Sequence, residues 1–170
     1  LVGRPEALPK FLLAVDWCNP DHANTAIALM ARWKAPEPIQ ALQLLDATFG
    51  HPRVRQYAVR CLEPLPDEDL AEFLLQLTQV LKYEPFHDSP LAHFLLRRAL
   101  RNVRLIGMRL FWHLRSEMHL PQFSTRFGLL LRAYLTHCGA HRQELTQQHD
   151  VQQLLQNVAD AVQTAADTGR

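Results

Sequence analysis

Apolar residues recur along this chain at the three-to-four spacing of helices that bury one face. From Leu70 they fall at Leu70, Phe73, Leu74, Leu77, Val80 and Leu81. From Val54 they fall at Val54, Tyr57, Ala58, Cys61 and Leu62, and a third stripe runs Phe123, Phe127, Leu130, Leu131, Tyr134, Leu135 and Cys138. No stretch alternates with period two for long enough to require a strand. The pattern predicts an all-α fold.

Prolines mark the breaks. Of the 11 in the chain, Pro20, Pro36, Pro52, Pro66, Pro85, Pro90 and Pro121 stand where one stripe ends and the next begins, because proline fits a first helical turn and not an interior. Asp67, Glu68 and Asp69 put negative charge at a helix start, Asn19 and Asp88 are candidate N-caps, and Gly139 is a candidate terminator. The expected helices lie near residues 5–17, 20–33, 37–48, 52–63, 67–83, 89–101, 104–119, 121–138 and 141–166. Short connections and paired helices predict an α-α superhelix of about four to five antiparallel pairs, a HEAT/armadillo-like solenoid. The run Pro52-Arg53-Val54-Arg55, followed by Ala58 and Leu62, resembles the second helix of a HEAT repeat. There Val54, Ala58 and Leu62 would face the partner helix, and the small Ala58 would allow close approach.

Composition narrows the function classes. A chain of 170 residues with 48% hydrophobic content is one domain's worth, able to bury roughly 70% of its unfolded surface. A net charge of +1, from 18 basic and 17 acidic residues, supplies no field for nucleic acid. Cys18, Cys61 and Cys138 are odd in number and far apart, which argues against a disulfide framework and for a reducing setting. The longest apolar runs are too short to span a bilayer. The start at Leu1, with no signal-peptide pattern, reads as a cut inside a longer polypeptide.

A series of longer segments carries more information. They are Leu8-Pro9-Lys10, Ala41 to Asp46, Val54 to Leu62, Leu74 to Glu84, Phe94 to Asn102, Phe111 to His119 and Arg126 to Leu135. In this order and spacing they resemble the helical (accessory, PIK) domain of the phosphoinositide 3-kinases over residues 1–170, with the catalytic domain outside this chain. The resemblance implies a stack of helical pairs between a membrane-binding β-sandwich and a two-lobed kinase domain. The parent enzyme would transfer the γ-phosphate of ATP to the 3-hydroxyl of an inositol lipid, with ATP and Mg held in its kinase domain. This segment would be a non-catalytic scaffold that needs no cofactor. Its expected partners are other domains of the same chain, with a regulatory subunit as a further one and the inositol lipid reached through the parent. The expected setting is cytoplasmic, with membrane recruitment through the parent.

The sequence also departs from the family. Before Gly107, the run Arg104-Leu105-Ile106 has one residue more than the family's usual R-I-G, and Met108-Arg109 replace the common His-Phe. The run Phe111 to His119 resembles class I enzymes, whereas Gln122 to Arg126 and the tail Val151 to Ala166 resemble class II, so both classes stay open. The acidic segment that meets a regulatory SH2 domain in class I lies upstream of Leu8-Pro9-Lys10, so no regulatory-contact residue carries over.

Candidate chemistry is sparse. Phosphoryl transfer needs a phosphate cradle, a metal ligand and a base. The chain has no G-x-x-x-x-G-K, G-x-G-x-x-G, G-D-R-H-x-x-N or D-F-G motif. His137 and His141 are four apart, but Gly139 is expected to break the helix between them, and no further ligand suggests itself. His113 and His119 fall on different helical faces and read as structural. Arg97, Arg98, Arg101 and Arg104 form a candidate docking patch for an acidic face or anionic lipid; their plainer reading is favourable charge at a helix C-terminus. Glu63, Asp67, Glu68, Asp69 and Glu72 form an opposite patch. Trp17, Trp33 and Trp112 read as packing residues.

The rival to the scaffold is a free-standing HEAT-type protein-binding adaptor, which should have polar capping helices. The first helix, with Leu8, Phe11, Leu12, Leu13, Val15 and Trp17, is apolar for a cap and favours a stack whose ends meet other domains.

Overall fold

The computed structural model describes residues 3–168. Leu1, Val2, Gly169 and Arg170, the ends of the expected 1–170 domain, lie outside the described residues. The helices are α1 (Leu8–Leu13), α2 (Pro20–Arg32), α3 (Pro38–Ala41), α4 (Pro52–Leu62), α5 (Asp67–Val80), α6 (Pro90–Arg101), α7 (Met108–Glu117), α8 (Pro121–His137) and α9 (His141–Thr168). Among the described residues there is no strand, as the all-α reading expects. No helix among them is long and apolar enough to cross a membrane.

Helix starts follow the prolines. Pro20, Pro38, Pro52, Pro90 and Pro121 are each the first residue of a helix, where the missing N–H has no partner to lose. The Asn19 side chain accepts from Asp21 N at 2.9 Å, so this expected cap is present. The cap of α6 is Ser89, not Asp88: Ser89 Oγ accepts from Ala92 N at 3.2 Å. With Pro90 holding the first helical position, the cap falls on the residue directly before it. Asp88 pairs instead with His93 on the surface. Gly139, at φ 58, ends α8 as expected.

Three expected helices are shorter or differently wound. The first ends at Leu13, because the Trp17 indole folds back and donates to the Leu12 carbonyl at 3.1 Å. Val15 and Trp17 therefore lie outside it. The third divides into α3 and a 3₁₀ turn, Leu42–Leu45. It stops at Asp46, whose carboxylate takes Thr48 N at 2.9 Å and offers the backbone a turn in place of a helix. Ahead of α7, Val103–Gly107 is π-helical: Gly107 N reaches back five residues to Asn102 O at 3.0 Å. This wider turn absorbs the extra residue seen before Gly107.

The core runs through two rows of helices. Helix α4 packs on α6 and α6 on α8, while α5 packs on α7 and α7 closes against α8. Val54, Ala58 and Leu62 are all fully buried, as the HEAT-like spacing requires, with Leu70, Leu74, Leu77, Phe94, Leu110, Leu114 and Phe127. Phe73 and Trp112 are only half-buried at the margin of this core. Trp33 is buried, stacks on Phe11 with ring centroids 5.2 Å apart, and donates to Arg4 O at 2.9 Å. At Gly107 the packing admits no side chain: a Cβ there would overlap the Tyr134 hydroxyl and lie 2.9 Å from Ala99 O.

Helix α9 behaves differently along its length. Its start is seated by buried His141 and Leu145, whereas every residue from Val151 to Thr168 is exposed.

Candidate docking surface

The four arginines of the candidate patch part company in three dimensions. They sit on the last turn of α6 and the π turn after it. Arg98 points inward and is 7% exposed. Its Nε and Nη2 meet Asp67 Oδ1 at 2.9 and 2.5 Å, and its Nη groups donate to Leu65 O at 2.6 Å and Glu63 O at 3.3 Å. Arg98 thus caps carbonyls of the α4–α5 connection, which have no partner inside a helix. Arg97 pairs with Glu63 at the surface. Arg101 and Arg104 face solvent.

The acidic patch turns out to be the partner of the basic one. Asn102 Nδ2 donates to Asp67 Oδ2 at 3.0 Å while Asn102 Oδ1 caps Leu105 N at 3.1 Å. Burial pushes the Asp67 carboxyl up. The hydrogen bonds from Asn102 and Arg98, with the charges of Arg98 and Arg101, outweigh that and hold it below the usual carboxylate range. Glu68, Asp69 and Glu72 remain exposed. Arg101 and Arg104 thus stay exposed beside this acidic fringe.

Two further polar ties carry no obvious signature in the sequence. Arg55 is 1% exposed and binds Glu84 through Nε at 2.9 Å and Nη2 at 2.8 Å, and it also donates to Asp46 O at 3.2 Å. The only hint was an arginine inside an otherwise apolar repeat pattern; Glu84 lies outside every stripe. Lys82 Nζ meets Glu117 Oε2 at 2.7 Å, and Gln79 also donates to Glu117. Hydrogen bonds from Lys82, then Gln79, lower the Glu117 carboxyl.

An apolar pocket of ≈260 Å³ opens between α6 and α8, lined by Leu81, Phe86, Leu96, Leu129 and Leu130, with Arg126 at its rim. Phe86 is 64% exposed and Leu129 51%, so the pocket opens onto an exposed apolar patch. His137 and His141 sit on separate helices either side of Gly139. Among the described residues no group of three or more His, Cys, Asp or Glu side chains is placed to hold a metal ion.

Residues 1–147 match the family described as phosphoinositide 3-kinase family, accessory domain (PIK domain). Phosphatidylinositol 3-kinase 2 of Dictyostelium discoideum is 49% identical over 160 residues, which is 94% of this chain and 9% of that protein. Phosphatidylinositol 3-kinase 1 of the same organism is 47% identical over 166 residues, 98% of this chain and 10% of that protein. The chain spans about a tenth of the length of these relatives. It belongs to the phosphoinositide 3-kinase family and carries the family's accessory domain.

Proposed function

We propose that this chain is the non-catalytic scaffold of a phosphatidylinositol 3-kinase that uses ATP and Mg to phosphorylate the 3-hydroxyl of inositol lipids. Residues 1–170 form its helical domain, wound as a superhelix of helical pairs, and the catalytic domain lies elsewhere in the parent polypeptide. The domain docks the membrane-binding and kinase parts, and a regulatory subunit where one is present, and the parent moves from cytoplasm to membrane. Of the candidate patch, Arg101 and Arg104 are the docking residues, while Arg97 stays paired with Glu63 and Arg98 holds their helix in place.

The observation that carries this reading is where the buried polar groups go. Arg55 and Arg98 are sunk among helices and use their donors on carbonyls and carboxylates of the same chain, 6 to 35 residues away. Such ties fix the relative position of helices. A rigid body with exposed apolar and charged faces suits docking.

The test uses the native polypeptide that contains these residues, assayed for phosphate transfer from ATP to phosphatidylinositol vesicles. The wild type should be active. Arg101→Glu/Arg104→Glu should lose about fivefold in activity with helix content unchanged, the scale of a lost rim electrostatic contact. Unchanged activity in that variant removes the patch from docking. A wild type that phosphorylates no inositol lipid removes the kinase reading.

A further inference from the structure

The exposed part of α9 is polar on one side and apolar on the other, without exception. Val151, Leu154, Leu155, Val158 and Val162 are between 56% and 66% exposed. Ala159, Ala161, Ala165 and Ala166 fill the same face. At 3.6 residues per turn these residues cover a continuous arc of roughly 160°, and no polar residue falls inside it. Gln152, Gln153, Gln156, Asn157, Asp160 and Gln163 occupy the other side.

The arc is aimed away from the chain's own stack. The seated face of α9 is marked by His141, Leu145 and His149, which is held by Arg115 Nη2 at 3.0 Å. Continued along the helix, that face reaches Gln152 and Gln156, which with Gln153 look onto Trp112, Arg115 and His119. The apolar arc is turned about a third of a revolution from it. Nothing in the stack can cover the arc while Leu145 stays buried.

Three occupants can be weighed. A membrane surface calls for Lys or Arg on the polar face of such a helix. Between Val151 and Thr168 there is none, and the charged residues are Asp160 and Asp167. A second copy in a coiled coil calls for a narrow seam kept up over at least three heptads or so. Here the length is about two and a half heptads and the arc is wider than a seam, which is the form of a helix laid on a globular body. The third occupant is the remainder of the parent polypeptide. The family match stops at residue 147, yet one relative aligns over 166 of the 170 residues and another over 160, so most of the exposed stretch is shared with them although it lies past the matched segment. Those relatives are about ten times longer than this chain.

We propose that the apolar arc of α9 is an intramolecular docking strip, covered by an apolar groove on another domain of the same polypeptide, so that α9 joins the accessory domain to that body. This rests on the reading of the chain as part of a larger lipid kinase.

The experiment uses the full-length polypeptide with a photoreactive residue, Leu155→p-benzoylphenylalanine, prepared as a mixture of light- and heavy-isotope protein and mapped by mass spectrometry. The expected result is a cross-link to a peptide outside residues 1–170, with both halves carrying the same isotope. In a companion Leu155→Gln/Val158→Gln protein, hydrogen exchange over 151–168 should quicken by about tenfold or more while α4 to α8 keep their protection. Mixed-isotope cross-links would assign the strip to a second copy and overturn the proposal, as would cross-links only to added lipid or to no peptide. Lipid phosphorylation by the same preparation is measured separately: an active enzyme without the intrachain cross-link defeats the strip alone, and an inactive one defeats the kinase reading.

Discussion

Arg55 shows how much of this fold hangs on single side chains. Its guanidinium and the Glu84 carboxylate are 1% and 2% exposed, so neither charge has water to fall back on. Removing one member of such a pair strands the other. Arg55→Leu should lower the unfolding free energy by roughly 3–5 kcal/mol in chemical denaturation. Arg55→Leu/Glu84→Leu should cost much less, about 1–3 kcal/mol, chiefly for the Phe49 carbonyl left without a donor, since Asp46 O keeps the Phe49 N–H. Losses that simply add in this double-mutant cycle would show that the two charges do not act as a pair.

Among the elements, the π turn ahead of α7 is the most constrained. Gly107→Ala should destabilise by about 1–3 kcal/mol, since the new methyl meets the Tyr134 hydroxyl and the Ala99 carbonyl. The Tyr134 hydroxyl is buried and has no hydrogen-bond partner among the described residues. Tyr134→Phe should therefore be close to neutral alone and should recover part of the Gly107→Ala loss; thermal melts of the three variants decide it, and no recovery would place the clash at the backbone instead. Much of this level was legible in the sequence. The stripes of α4, α5 and α8 follow from period 3.6, and most helix starts follow from proline. The π turn was not legible, because an i→i+5 bond depends on what α6 and α8 press against it. Nor was the end of α1, which hangs on where the Trp17 indole lands. The arginine cluster was readable as a cluster, but the partners of Arg97 and Arg98 lie 31 to 35 residues earlier, so only the fold could assign them.

For the whole molecule, the titrating groups make stability depend on pH in a definite sense. Burial, then the charge of Arg109, lowers the pKa of His113; burial, then Arg53, lowers that of His51. The unfolded chain therefore binds protons before the folded one, and their contribution is complete above pH 6.5 and fades as pH falls below it. Glu117 and Asp67 are also depressed, from 4.5 and 3.8, so a second decline should follow below those values. Denaturation midpoints measured from pH 8 to pH 3 should fall in these two stages, and His113→Gln should flatten the first. A midpoint that rises between pH 7 and pH 5 would contradict the assignment.

The ties described above also give the domain mechanical properties. Arg55, Arg98 and Arg126 each reach back to carbonyls of an earlier connection, at Asp46 and Phe49, at Glu63 and Leu65, and at Leu81. They make the stacked helices a stiff stem. Helix α9 is then a lever, rooted at Leu145 and His149 and exposed from Val151 to Thr168. At 1.5 Å per residue its overhang is roughly 25 Å, so a sideways push of about 2 Å at the tip tilts the root by about 5°. That torque arrives at Arg115, on α7, and from there enters the stem.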